Sequence, residues 1–225
     1  MTEAPPAGDA IEPAWRERAV GRSLQAARTR AEERVQRFLD AAFALIDEKG
    51  TTEFTIQEVV DRSKQSLRGF YEYFDGKDEL LLALFEETVR EAYDDIRAAV
   101  DAEREPIRRL RAFAVRLHEW CDPGVGTRKR GRHNRRPIAD FSIHLAVSHA
   151  VRVQAALAPQ SRLLHELIED AAAAGTIHVE DTKRATALVQ QMVMHSSFGN
   201  RLVEQPRQQL TAEETWEFCL RGLGG

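Results

Sequence analysis

The sequence predicts an all-α protein: a compact unit of three helices at the N-terminus, followed by a larger helical region. Three observations carry this. Apolar residues recur at helical spacing in segment after segment. No segment alternates with period two for long enough to make a strand. Three hydroxyl-x-x-Glu capping boxes, Thr29 with Glu32, Thr55 with Glu58 and Thr211 with Glu214, mark helix starts.

Taken in order, residues 1–28 hold prolines, alanines, glycines and scattered charge without a sustained apolar period, and read as a flexible tail. The first helix is expected from Thr29. Val35, Phe38, Leu39, Ala42, Leu45 and Ile46 form its stripe, and Gly50 stops it by entering the left-handed conformation cheaply. A short second helix opens at Thr55 and turns Ile56, Val59 and Val60 inward; a third is capped by Ser66 and broken at Asp75-Gly76. From Lys77 the scale changes. Leu80, Leu81, Leu84, Phe85, Ala92, Ile96 and Val100 line a helix of roughly seven turns that ends before Pro106. Pro106, Pro137 and Pro159 are each read as opening a further helix, since proline suits a first turn. An eighth helix is expected over 181–197 and a last one from Thr211.

Composition bounds the function. The chain has 225 residues, 43% hydrophobic and 30% charged, with a net charge of -4, so any binding to a polyanion must come from a local patch. No run approaches the ~20 apolar residues that span a bilayer. MTEAPPAGDAIEPAWRER lacks the basic start and apolar core of a secretion signal, which places the expected protein in the cytoplasm. Cys121 and Cys219 do not make a disulfide framework. The histidines lack metal-ligand spacing with carboxylates, and no glycine-rich phosphate loop or Ser-His-Asp arrangement is legible; neither metal, cofactor nor catalytic activity is expected.

The densest chemistry lies in SKQSLRGFYEYFDGKDEL, residues 63–80. Two short helices joined by three or four residues make a helix-turn-helix. Phe70 and Phe74, four apart, share a face that should pack inward. Ser66, Arg68, Gly69, Tyr71 and Tyr73 then fall on the remaining surface, where tyrosine hydroxyls donate to phosphate and arginine reaches phosphate or guanine. Lys77 adds charge at the start of the next helix.

Gly50, Phe54-Thr55, Glu58-Val59-Val60, Ser66, Phe70-Tyr71, Tyr73-Phe74, Lys77 and Leu80-Leu81 closely resemble the TetR family of bacterial repressors over residues 30–82. The resemblance implies a homodimer. Its N-terminal bundle, residues 29–76, would bind a palindromic operator in double-stranded DNA. Its remaining helices, residues 77–225, would hold a small-molecule effector and dimerise. By position it assigns Thr55 and Gln57 to phosphate and a base edge, Ser66, Leu67, Arg68, Gly69, Tyr71 and Tyr73 to the recognition helix, and Lys77 to the backbone. Leu67 either packs beside Phe70 or touches a thymine methyl. Two departures stand out. Lys64-Gln65 replace the family's usual Gly-Val in the turn, and Arg68 stands where glycine is common.

Beyond this unit the sequence defines less. His118, Trp120, Phe141, His144 and Met192, with His149 and His165, sit on apolar helices and are candidates for the effector pocket, although a histidine on a helix is more often a satisfied core or surface residue. Leu188, Met192, Val193, Ser196, Trp216 and Leu220, with Phe218, fit a dimer interface or a surface covered by the chain's own helices. The run from Arg128 to Arg136 reads as a solvated loop, with an anionic group such as a CoA-thioester effector as its functional alternative. The N-terminal arginines Arg16, Arg18, Arg22, Arg28 and Arg30 read first as a solvated tail, with an arm to the minor groove or backbone as the functional alternative; Arg28 and Arg30 lie close enough to the first helix to contact phosphate. The competing readings are an all-α interaction protein whose helix-turn-helix is purely structural, and a helical enzyme using the pocket histidines.

Overall fold

In the computed structural model the described residues are 14–121, 136–202 and 209–225. Among them there are nine helices and no strand: α1 (Ala14–Lys49), α2 (Ile56–Ser63), α3 (Leu67–Tyr71), α4 (Lys77–Asp101), α5 (Pro106–Cys121), α6 (Arg136–Ser148), α7 (Ala150–Ala173), α8 (Thr182–Leu202) and α9 (Ala212–Gly222). No helix among the described residues is long and apolar enough to cross a membrane.

The first difference from the sequence reading is the start of α1. It begins at Ala14, so Thr29 lies in mid-helix and caps nothing. The residues from Ala19 to Arg30 are exposed. Their helicity rests on local chemistry: alanine and arginine are good helix formers, and Arg28 holds Glu32 one turn on at 2.7 Å. A capping box is informative only where the preceding residues cannot themselves be helical; here they can. Residues 1–13 of the expected tail, and positions 128–135 of the basic run, lie outside the described residues. The other two boxes are formed, at Thr55 with Glu58 and at Thr211 with Glu214. Gly50 ends α1 with φ +67°.

The second difference is Pro159. It does not open a helix but lies inside α7, which starts at Ala150 after a break at His149. The helix tolerates it because Val153, Leu163, Leu164, Leu167, Ile168 and Ala171 bury one face on both sides of the proline, and that packing outweighs the lost bond and ring clash, which together cost about 3 kcal/mol.

Two hydrophobic cores result. One gathers Phe38, Phe43, Ile46, Phe54, Val60, Phe70 and Phe74 against the first turns of α4, with Leu145 and Val153 reaching in from α6 and α7. The other joins the last turns of α4 to α5, α7, α8 and α9 around Phe113, Leu164, Ile168, Val193 and Trp216. Both cores include α4, and they meet between its Val89 and Ala92.

Candidate nucleic-acid interface

The local chain explains why α2 and α3 hold their angle. Thr55 Oγ1 accepts from the Glu58 amide at 3.2 Å while the Glu58 carboxylate accepts from the Thr55 amide at 2.8 Å. Lys49, at the end of α1, donates to the same carboxylate at 2.7 Å. That bond from Lys49, followed by the two from Thr55, holds the Glu58 carboxyl down at about 2. Because the folded value is depressed, the stabilisation is present above the ordinary carboxylate range and is lost as pH falls towards 2. Arg62 grips Glu48 through both terminal nitrogens, at 2.6 and 2.7 Å, and is a second link fastening α2 to the end of α1.

The turn between α2 and α3 contains Lys64, with φ 55° and ψ 34°. It is the only non-glycine residue with positive φ among the described residues. Its amide bonds to Asp61 O at 3.3 Å, and that of Gln65 to Val60 O at 3.3 Å, closing α2. The turn thus takes the left-handed shape that glycine would favour and pays for it with a lysine. Left-handed lysine costs about 1–2 kcal/mol, of which glycine's greater freedom in the unfolded chain would cancel roughly 0.4–1. Lys64→Gly is therefore expected to raise stability by about 0.5–1 kcal/mol, read as an increase of roughly 1–4 °C in Tm by calorimetry. A lower Tm would mean the side chain has a stabilising contact that outweighs its strain.

Ser66 Oγ caps α3 by accepting from the Gly69 amide at 3.0 Å. A β-carbon on Gly69 would sit 3.1 Å from that hydroxyl, so glycine here protects the cap. Phe70 and Phe74 are buried, as their spacing predicts, and pack edge-on to Phe38 at 5.5 and 6.1 Å. The other face is open. The Arg68 side chain is 91% exposed and only 3.7 Å from Glu72 as a loose ion pair. Tyr71 is 54% exposed with its ring against the edge of Phe70, and Leu67 is 44% exposed, which settles its orientation outward. Thr55, Gln57 and Ser66 are exposed as well. Tyr73 differs from Tyr71: it is half-buried against the first core. Lys77 stands 4.9 Å above the Phe54 ring, which fixes its ammonium beside this surface. Arg30 is exposed on α1, its Nε donating to Ala26 O at 3.1 Å. Lys64 is the exposed cation that sequence reasoning treated only as a departure; its place in a two-helix turn was the available signal.

The residues expected to line an effector pocket do not gather. His118 is buried in the second core, and Trp120 donates from Nε1 to Asp95 at 2.9 Å. Phe141 packs on the first core, 4.9 Å from the exposed His144. Met192 lies on the outer face of α8. Of the others considered, His165 meets Thr186 at 3.1 Å, and His149 forms the break between α6 and α7. Gln160, which the sequence reading passed over, is buried with an amide nitrogen that has no hydrogen-bond partner. The expected interface residues also divide. Val193, Ser196 and Trp216 are buried within the chain itself, and Leu220 is half-buried. Leu188 and Phe218 are 63% and 64% exposed and, with Met192, border a groove of about 490 Å³ between α8 and α9. No group of three His, Cys, Asp or Glu able to hold a metal occurs among the described residues. Burial lifts the Cys219 thiol to about 11, which keeps it protonated and inert.

Residues 38–84 match the model for bacterial regulatory proteins of the tetR family. Over 80 residues, 36% of this chain and 41% of the relative's length, the sequence is 30% identical to the HTH-type transcriptional regulator BetI of Brucella anthropi. The fold is shared with a bacterial regulatory protein in the tetR family from Rhodococcus RHA1, at 21% identity and a TM-score of 0.60, over 85% of this chain and 97% of that one. It is shared too with AibR, solved in complex with isovaleryl coenzyme A and operator DNA, at 18% identity and a TM-score of 0.56, over 84% and 97% of the two chains.

Proposed function

Since the chain belongs to the tetR family of bacterial regulatory proteins, we propose that it is a ligand-responsive transcriptional repressor, which binds a palindromic operator as a homodimer and leaves it when a small effector binds the C-terminal helices. The single observation that carries the DNA-binding part is the division of α3: Phe70 anchors it from behind, while Arg68 and Tyr71 stand in solvent on its outer side. Such a surface suits a duplex. The guanidinium and hydroxyl donate to phosphates and base edges, and Lys64 and Lys77 flank them with positive charge. Leu188, Met192 and Phe218 supply apolar area for a two-fold contact through α8 and α9, which would set two copies of α3 about 34–36 Å apart, one turn of the duplex. A regulator of this kind works beside the chromosome, in the cytoplasm. Effector binding releases DNA only if the effector prefers the spacing that the operator does not.

Selection of bound sequences from random duplexes tests this reading. The expected product is an inverted repeat whose affinity falls by about 10³–10⁵ between 50 and 200 mM salt, as for six to ten neutralised phosphates. Failure to enrich any sequence, with no salt-dependent binding to duplex, would favour an interaction protein in which the helix-turn-helix is only structural.

A further inference from the structure

The first core takes its residues of α1 from Val35 onward, whereas the helix begins at Ala14. Residues 19–34 therefore run on beyond that core as a helical rod of about 24 Å, at 1.5 Å per residue. All of them are exposed except the half-buried Ala31.

The charge of this rod opposes that of the whole chain. Between Ala19 and Arg37 five arginines stand against two glutamates, a net of +3, in a chain of net charge -4. Every basic residue of α1 before Lys49 is an arginine. Arg28 is taken up by Glu32. Arg30, Arg34 and Arg37 make no ion pair among the described residues, and Arg30 only returns its Nε to Ala26 O of the same helix. These three are spaced i, i+4 and i+7, which sets their guanidinium groups on one face over about 10 Å. Guanidinium forks match the oxygens of phosphate, and a duplex presents a phosphate about every 3.4 Å along each strand.

The basic face starts beside α3. Arg37 directly precedes Phe38, whose ring is 5.5 Å from Phe70 and 6.1 Å from Phe74. We propose that residues 19–37 of α1 are a second DNA-contacting element, with Arg30, Arg34 and Arg37 on duplex phosphates that flank the base pairs facing α3. This rests on the regulator reading and adds a division of labour to it: α3 selects a sequence, while the rod contributes affinity that is the same for every sequence. A basic helix also suits an anionic membrane surface, but that needs a broad apolar face, and the only large apolar side chains of residues 19–34 are Val20 and Leu24.

Fluorescence anisotropy with two duplexes of roughly 30 base pairs, the selected operator and one of unrelated sequence, tests the proposal. Arg30→Gln, Arg34→Gln and Arg37→Gln combined are expected to weaken both about tenfold or more, and by the same factor. The slope of log affinity against log salt should fall by about 2–3 for each chain bound, at roughly 0.9 per phosphate. On an operator trimmed to the base pairs that selection defines, the difference should largely vanish. Glu33→Gln, which removes a carboxylate from the rod, should tighten both long duplexes about two- to threefold, an effect that misfolding does not imitate. Unchanged affinity and slope in a triple variant that melts like the parent would overturn the proposal. A loss confined to the operator, an equal loss on the trimmed duplex, or no gain from Glu33→Gln would do the same. Loss of binding to phosphatidylserine vesicles with duplex affinity intact would make the rod a membrane contact instead. The regulator reading fails differently: a parent that binds no duplex refutes both, whereas a parent and a triple variant that bind the operator equally refute only the rod.

Discussion

Replacing Phe70 with alanine is expected to lower the unfolding free energy by about 3–5 kcal/mol. The ring is fully buried and meets Phe38 edge-on at 5.5 Å, Phe74 at 5.2 Å and Tyr71 at 5.5 Å. A helix of five residues has almost no stability of its own, so α3 depends on this contact for its existence as well as its position. Total stabilities of about 5–15 kcal/mol leave little room for such a loss. Urea unfolding followed by circular dichroism reads the change, and Phe70→Leu, which keeps most of the volume, should cost far less. A loss below about 1 kcal/mol for the alanine variant would show that the aromatic cluster does not hold α3.

The second large effect concerns DNA and leaves stability alone. Arg68→Ala combined with Tyr71→Phe is expected to reduce affinity for the selected duplex by roughly a hundredfold, from about 1–3 kcal/mol for the guanidinium and a smaller share for the hydroxyl. Thermal stability should move by no more than about 0.5 kcal/mol, because both groups stand in solvent. The Arg68–Glu72 pair is no obstacle: at 3.7 Å and largely exposed it contributes about 0–1 kcal/mol. Fluorescence anisotropy at two salt concentrations separates the roles. If Arg68 meets phosphate, its loss weakens all sequences alike and flattens the salt dependence; if it reads a base, one operator position loses its preference. Unchanged affinity for the double variant would remove α3 from the interface.

What the sequence made legible follows from where local chemistry decides structure. Thr55, Ser66 and Thr211 were readable because a side-chain cap is a short-range event with a fixed spacing. Phe70 and Phe74 were readable because period and burial agree. Thr29 misled, since the same box is inert inside a helix that alanine and arginine extend backwards. Pro159 misled because a proline's preference for a first turn is a local rule, and packing of α7 against α4, α5 and α8 overrides it. The apolar faces of α8 and α9 were visible, but periodicity does not say which neighbour covers a face. Val193 and Trp216 went to the chain's own core, while Leu188 and Phe218 remained outside. The ion pairs between α4 and α7 had no sequence signature, because Glu79, Glu86 and Arg152 meet only through tertiary packing more than sixty residues apart.

The seam between the two cores falls inside a single continuous helix, with no loop between them. A rod whose two ends are clamped in different blocks, with no proline between them, resists a sharp kink at the junction because a kink opens backbone hydrogen bonds, so it transmits torque. A rearrangement around Tyr93 that tilts the rod is carried along it to Leu80, and the first core, which α6 and α7 also enter through Leu145 and Val153, has to repack around the tilted end.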